Sequence, residues 1–136
     1  MTVKEFFKGD RYAAHSGIEL LTVEPGHAKA RMEIREMHLN TVNVVQGGAI
    51  FTLADYAFAA AVNAYGNLAM SVETSIRYFK GAEKGVLFAD AQIVHLHKRL
   101  ATFEVRVTDE RGELIALFTA TAYRKDIPLL FSDNEK

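Results

Sequence analysis

The stretch "NTVNVVQGGAIFTLADYAFAAAVNAYG", residues 40–66, decides the fold. A pair of glycines, Gly47 and Gly48, opens a long run of apolar and small residues, and one carboxylate, Asp55, interrupts it. The run predicts a helix from about Gly47 to Gly66, with the final glycine as its stop. At about 100° per residue, Thr52, Asp55, Tyr56, Ala59 and Asn63 fall within one narrow sector and the rest of the circumference is apolar. Such a helix must be wrapped by something else, open only at a seam.

The flanking sequence supplies the wrapping. "GIELLTVEPGHAKARMEIR" holds a turn at Pro25-Gly26 between two strands, the second alternating Ala28, Ala30, Met32 and Ile34 against Lys29, Arg31, Glu33 and Arg35. Residues 36 to 46 lack a period and read as a loop. After the helix, "AMSVETSIRYF" alternates Met70, Val72, Ile76 and Tyr78 with Ser71, Glu73, Ser75 and Arg77. "VLFADAQIVHLH", "ATFEVRVTD" and "ELIALFTATAYR" continue the β signal. One helix and five to six antiparallel strands make an α+β domain whose sheet covers the helix. Before it, residues 2–16 read as one short amphipathic helix ended by Gly17, and residues from about 127 to 136 as a loose tail. The expectation is a single domain over residues 1–136.

Composition narrows the function classes. Sixteen basic residues against seventeen acidic give a net charge of -1, which does not favour nucleic acid. The chain has no cysteine, so disulfides, thiolate metal sites and a cysteine nucleophile are excluded. No run approaches the ~18 apolar residues of a membrane span, and "MTVKEFFKGDRY" lacks the apolar core of a signal peptide, so the expected location is cytoplasmic. His95 and His97 share a strand face as a metal pair would, but no third ligand is apparent and no metal is expected.

Two features of the opening stretch bear on chemistry. The first N–H groups of a helix lack intrahelical partners and carry the positive end of its dipole. Gly47 and Gly48 leave them uncovered, so a carbonyl oxygen could approach as in an oxyanion hole, although a glycine pair also serves a tight turn or close packing. Asp55 belongs either to a plain solvent stripe or to a cleft at the seam.

The residues Asn40, Asn43, Gln46, Gly47, Gly48 and the "TLAD" ending at Asp55 resemble the hotdog-fold acyl-CoA thioesterases of the phenylacetate-degradation, PaaI-like, type. Their pattern is approximately Asn-x-x-Gly-x-x-His-Gly-Gly, followed seven residues later by Asp, and the spacing matches throughout. The resemblance runs from about residue 17 to 124. Two positions depart from it: Asn43 stands for the usual glycine and Gln46 for the usual histidine. A glutamine can donate a hydrogen bond but cannot become a charged acid.

The resemblance implies a hotdog fold and hydrolysis of a small aromatic or short- to medium-chain acyl-CoA by a homodimer or homotetramer. Coenzyme A would enter as part of the substrate, with no separate cofactor. It implies that the N–H of Gly47 or Gly48 polarises the thioester carbonyl, with help from Gln46. It implies further that Asp55 of the partner subunit acts as general base or nucleophile. Asn40 is carried over as an orienting residue and Ser71 as a holder of the attacking water, with Glu73 a rival carboxylate. Lys98 and Arg99, backed by Arg77 and Lys80, are candidates for the coenzyme A phosphates. Phe51, Tyr56, Phe58 and Tyr78 shape an acyl pocket or belong to the core. The alternative is a hotdog protein that binds acyl-CoA without catalysis.

Overall fold

A computed structural model describes residues 1–131. Where one N-terminal helix over residues 2–16 was expected, there are two: α1 (Val3–Phe7) and α2 (Arg11–His15). The break has a local cause. Thr2 and Glu5 form a reciprocal capping box on α1, and the Asp10 side chain accepts the Ala13 N–H at 3.0 Å to start α2. Gly9, a poor helix former, lies between these two starts.

Strands β1 (Ile18–Glu24) and β2 (His27–Glu33) form the expected hairpin. Gly26 takes the turn with φ +87, which a side chain would strain. A 3₁₀ turn, Glu36–His38, and a loop lead into α3 (Gly47–Asn63). Then come β3 (Asn67–Tyr78), β4 (Val86–Leu96), β5 (Leu100–Thr108) and β6 (Leu114–Pro128). The last strand extends past the expected start of the tail at 127, and residues 132–136 lie outside the described part. The strands form an antiparallel sheet in the order β1-β2-β4-β5-β6-β3 around α3. Among the described residues no helix is long and apolar enough to cross a membrane.

The sheet grips the helix unevenly. On α3, Ala54, Ala57, Ala60 and Ala61 are fully buried, as are Ala28 and Ala30 of β2 and Ala89 and Ala91 of β4. Small side chains on both surfaces let the helix backbone ride close to β2 and β4. Toward β5 and β6 the space is filled by rings: Phe58 packs against Phe103 at 5.4 Å and Phe118 at 6.1 Å, and Phe51 against Phe118 at 5.2 Å. Truncating such a ring to alanine costs roughly 3–5 kcal/mol, so this cluster anchors the helix.

Edge strand β3 departs from simple alternation. The register slips between Ser71 and Glu73, a β-bulge. Ser71 pairs with Ala122, Thr74 with Ala120 and Ile76 with Phe118, all partners buried against the helix. Ser71 therefore lies on the helix side of the sheet, while Met70, Glu73, Ser75 and Arg77 lie on the outer side. The expected grouping of Ser71 with Glu73 is corrected, because one extra residue flips every later side chain.

Candidate active site

The loop before α3 is built to deliver its first turn. The side-chain oxygen of Asn40 accepts the N–H groups of Val42 and Val44, at 3.0 and 3.2 Å. The Asn40 backbone N–H donates to the Val44 carbonyl, and Leu39 and Val45 form an antiparallel bridge. Inside this loop Asn43 has φ +62. That left-handed conformation accounts for the glycine at this position in the family pattern, and asparagine is the side chain that tolerates it best.

His38 anchors the loop from behind, a residue the sequence reading passed over. It is buried; its Nδ1 accepts the Arg35 N–H at 2.9 Å and its Nε2 lies 2.7 Å from the Ser16 carbonyl, so Nε2 carries the proton. Its own carbonyl accepts the Gln46 N–H at 2.7 Å. The start of α3 is thereby tied to the end of α2. No periodicity marks a lone histidine in a loop, so sequence offered no signal for it.

Gln46 is the N-cap of α3, and its exposed side chain makes no capping hydrogen bond. The N–H groups of Gly47 and Gly48 have no acceptor among the described residues. The two glycines are not equivalent. A Cβ on Gly47 would lie 3.0 Å from the Tyr78 hydroxyl oxygen, which itself donates to the Gly47 carbonyl at 2.8 Å. A Cβ on Gly48 would meet nothing nearer than the Gln46 side chain at 3.9 Å. Gly47 makes room for a tyrosine; Gly48 is open to an incoming group.

Asp55 lies seven residues beyond Gly48 on the same helix face, half-buried. Its carboxylate accepts no hydrogen bond and forms no ion pair among the described residues. Burial pushes its pKa above the ordinary aspartate range, and the Asp10 carboxylate raises it further. Such a group is ready to take up a proton or attack. The rest of the expected stripe divides. Thr52 and Ala59 are half-buried beside Asp55, but Tyr56 and Asn63 are each only 5% exposed. The Tyr56 ring packs on Phe7 at 6.0 Å and its hydroxyl donates to the Phe7 carbonyl, because α1 and α2 cover that flank. Of the aromatic candidates for an acyl pocket, Phe58 is core and Tyr56 is buried, whereas Tyr78 is 49% exposed.

The candidate cations fall at opposite ends of the sheet. Arg77 and Lys80 lie at the end where α3 begins, and Lys80 pairs with Glu113 at 2.6 Å. Lys98 and Arg99 occupy the β4–β5 turn, at the end where α3 finishes, with Arg99 held by Asp126 at 3.0 Å. One subunit does not bring Lys98 and Arg99 to Gly48. In that same turn region the His95 and His97 rings lie 4.3 Å apart, and no third potential ligand joins them among the described residues.

Comparison with known proteins bears on the fold and family. The profile of the Thioesterase superfamily matches residues 42–116, from the Asn40 loop to the start of β6. An Archaeoglobus fulgidus protein named "Putative esterase" is 41% identical over 93% of this chain and 84% of its own. The acyl-coenzyme A thioesterase PaaI of Escherichia coli is 29% identical over 87% of this chain and 85% of its own. The solved structure of the E. coli PaaI protein, 27% identical, superimposes with a TM-score of 0.88 over 93% of this chain and 92% of that one. A Streptococcus mutans protein solved bound to acetyl CoA is 26% identical, with a TM-score of 0.79 over 82% of this chain and 91% of that one. The matched family profile and the shared fold agree: the chain belongs to the Thioesterase superfamily and is a PaaI-like thioester hydrolase of hotdog fold.

Proposed function

We propose that the protein hydrolyses acyl-CoA thioesters with a small aromatic or short- to medium-chain acyl group, working as a homodimer or a tetramer of dimers. The observation that carries this reading is the placement of Gly48 and Asp55 on one helix face. Seven residues of helix separate them by about 10 Å, too far to act on one carbonyl within a subunit. Two copies of α3 packed antiparallel about a two-fold axis would set the N–H of one against the carboxylate of the other, twice. Support for that pairing comes from β3, an edge strand that carries Met70, Val72 and Tyr78, with Phe79 just beyond, all about half exposed or more. The E. coli thioesterase and the acetyl CoA complex support acyl-CoA as the substrate class.

In this mechanism the thioester oxygen rests on the Gly48 N–H, with the Gln46 side chain free to donate beside it. The partner's Asp55 removes a proton from water attacking the carbonyl carbon, or itself attacks to form an anhydride that a water then hydrolyses to the free acid, restoring the carboxylate. The tetrahedral oxyanion gains most from the helix N-terminus, and coenzyme A leaves as a thiol. Asn40 shapes the loop that aims the first turn. Ser71, on the helix side of its strand, holds the attacking water. The coenzyme A phosphates lie a pantetheine arm away from the sulfur, which gives Arg77 and Lys80 of one subunit, or Lys98 and Arg99 of the other, the task of meeting them.

The test is free-thiol release from a panel of phenylacetyl-, hydroxybenzoyl-, short- and medium-chain acyl-CoAs, by native protein and Asp55→Asn. The expected result is turnover of at least one member, reduced about 10²- to 10⁴-fold in the variant with folding unchanged. Tight binding without turnover across the panel would instead favour an acyl-CoA binder disabled by Gln46.

A further inference from the structure

The geometry points to Tyr78 as a positioning residue for thioester hydrolysis, holding and polarising the peptide group whose N–H receives the thioester oxygen. The inference rests on the reading of the helix entry given above. The carbonyl of Gly47 and the N–H of Gly48 are two ends of one planar, conjugated amide, pointing in opposite directions. The Tyr78 hydroxyl donates to that carbonyl at 2.8 Å. A carbonyl oxygen accepts two hydrogen bonds, so the tyrosine adds to the helix ladder rather than replacing it. A donor on the oxygen draws electron density through the amide and makes the N–H at the other end a stronger donor. It also fixes the tilt of a peptide that two adjacent glycines would otherwise leave soft.

Three further observations belong together. The tyrosine oxygen stands 3.0 Å from where a Cβ on Gly47 would be, so a side chain there would have to displace the hydroxyl from its present contact. Gly48 is open on its outer side, where its N–H has no acceptor among the described residues. Tyr78 lies on the helix side of β3, since it pairs with fully buried Ala116, and this keeps its hydroxyl over the helix entry. Desolvation raises the pKa of that hydroxyl, so it remains a donor at neutral pH. Negative charge builds on the thioester oxygen in the transition state, so a strengthened N–H acts on kcat rather than on KM.

Tyr78→Phe keeps the ring and removes the hydroxyl. The expected result is a fall in kcat of about three- to ten-fold at unchanged KM and unchanged Tm. A second readout follows the bound carbonyl directly. In the Asp55→Asn background, infrared difference spectra of the carbonyl-¹³C form of the best acyl-CoA in the panel should show the C=O stretch lowered on binding. Tyr78→Phe should return part of that shift. An unchanged kcat and an unchanged stretch in Tyr78→Phe would overturn the role of Tyr78 while leaving the helix entry as the oxyanion site. Absence of any lowering with Tyr78 in place would overturn the oxyanion reading, and this inference with it.

Discussion

The two ends of α3 are finished in opposite ways. At its C-terminal end the side chain of Asn63 and the carbonyl of Gly66 are both used. Buried Asn63 donates to the carbonyls of Ala59 and Ala69 and accepts the Ala69 N–H, while Gly66, at φ +105, turns the chain and accepts from Leu129. Arg124 then donates to the His97 carbonyl and lies over the Tyr65 ring, closing that end of the sheet. At the N-terminal end, among the described residues, the N-cap side chain makes no cap bond, two N–H groups lack acceptors, and the face continues to a carboxylate without a partner. A fold that satisfies one end of a helix so fully can also satisfy the other. That it does not supports the proposed site at this end, where binding energy would be reserved for a substrate.

The largest effect should come from Asp55. As a base it works ionised, so kcat/KM should rise with pH through its raised pKa. The same shift has an opposite sign for stability. The folded state binds this proton more tightly than the unfolded chain, so stability is unaffected below the ordinary aspartate range and declines as pH rises from there to the raised value. Asp55→Asn, reduced about 10²- to 10⁴-fold in activity, should therefore be more stable than native protein at pH 7, with equal stability near pH 3. Chemical denaturation at both pH values checks this, and a variant that is less stable at pH 7 would mean that the carboxylate has a stabilising partner.

Gly48→Pro comes next. Proline is accepted in a helix's first turn and removes one N–H without breaking an intrahelical bond. Activity should fall about 10²- to 10³-fold with little change in Tm, as for loss of an oxyanion donor. The mirror experiment is at the closed end. Asn63→Ala leaves the Ala69 N–H and carbonyl without their side-chain partner in a buried place, so stability should drop by about 2–3 kcal/mol in urea titration. The specific activity of the folded fraction should stay near native. The smallest effect belongs to the loop. Asn43→Gly should change stability by less than about 1 kcal/mol, whereas Asn43→Val, forced to φ +62, should cost about 1–2 kcal/mol.

Much of this was legible beforehand. The apolar run after Gly47-Gly48 required a wrapped helix, and the Pro25-Gly26 turn and the strand alternations required a sheet to wrap it. The spacing from Asn40 to Asp55 carried the family. Three readings failed for one kind of reason. The helix over residues 2–16 divides because Thr2 and Asp10 each cap a start. Ser71 changes face because of a bulge. Tyr56 leaves the solvent stripe because α1 and α2 cover it. Each depends on which competing hydrogen bond or contact wins, and a periodic pattern does not contain that outcome.

Sequence by itself determined the fold class and the family, and the seven-residue spacing from Gly48 to Asp55 on one helix face, because periodicity and spacing along one helix are properties of the chain. The tertiary structure alone decided that Gly47 and Gly48 have different tasks, that His38 ties the loop to α2, and that Tyr78 reaches the helix entry. These contacts join residues 31 apart for Tyr78 and Gly47 and 22 apart for His38 and Ser16. Only the packed sheet brings such distant groups to within hydrogen-bond reach.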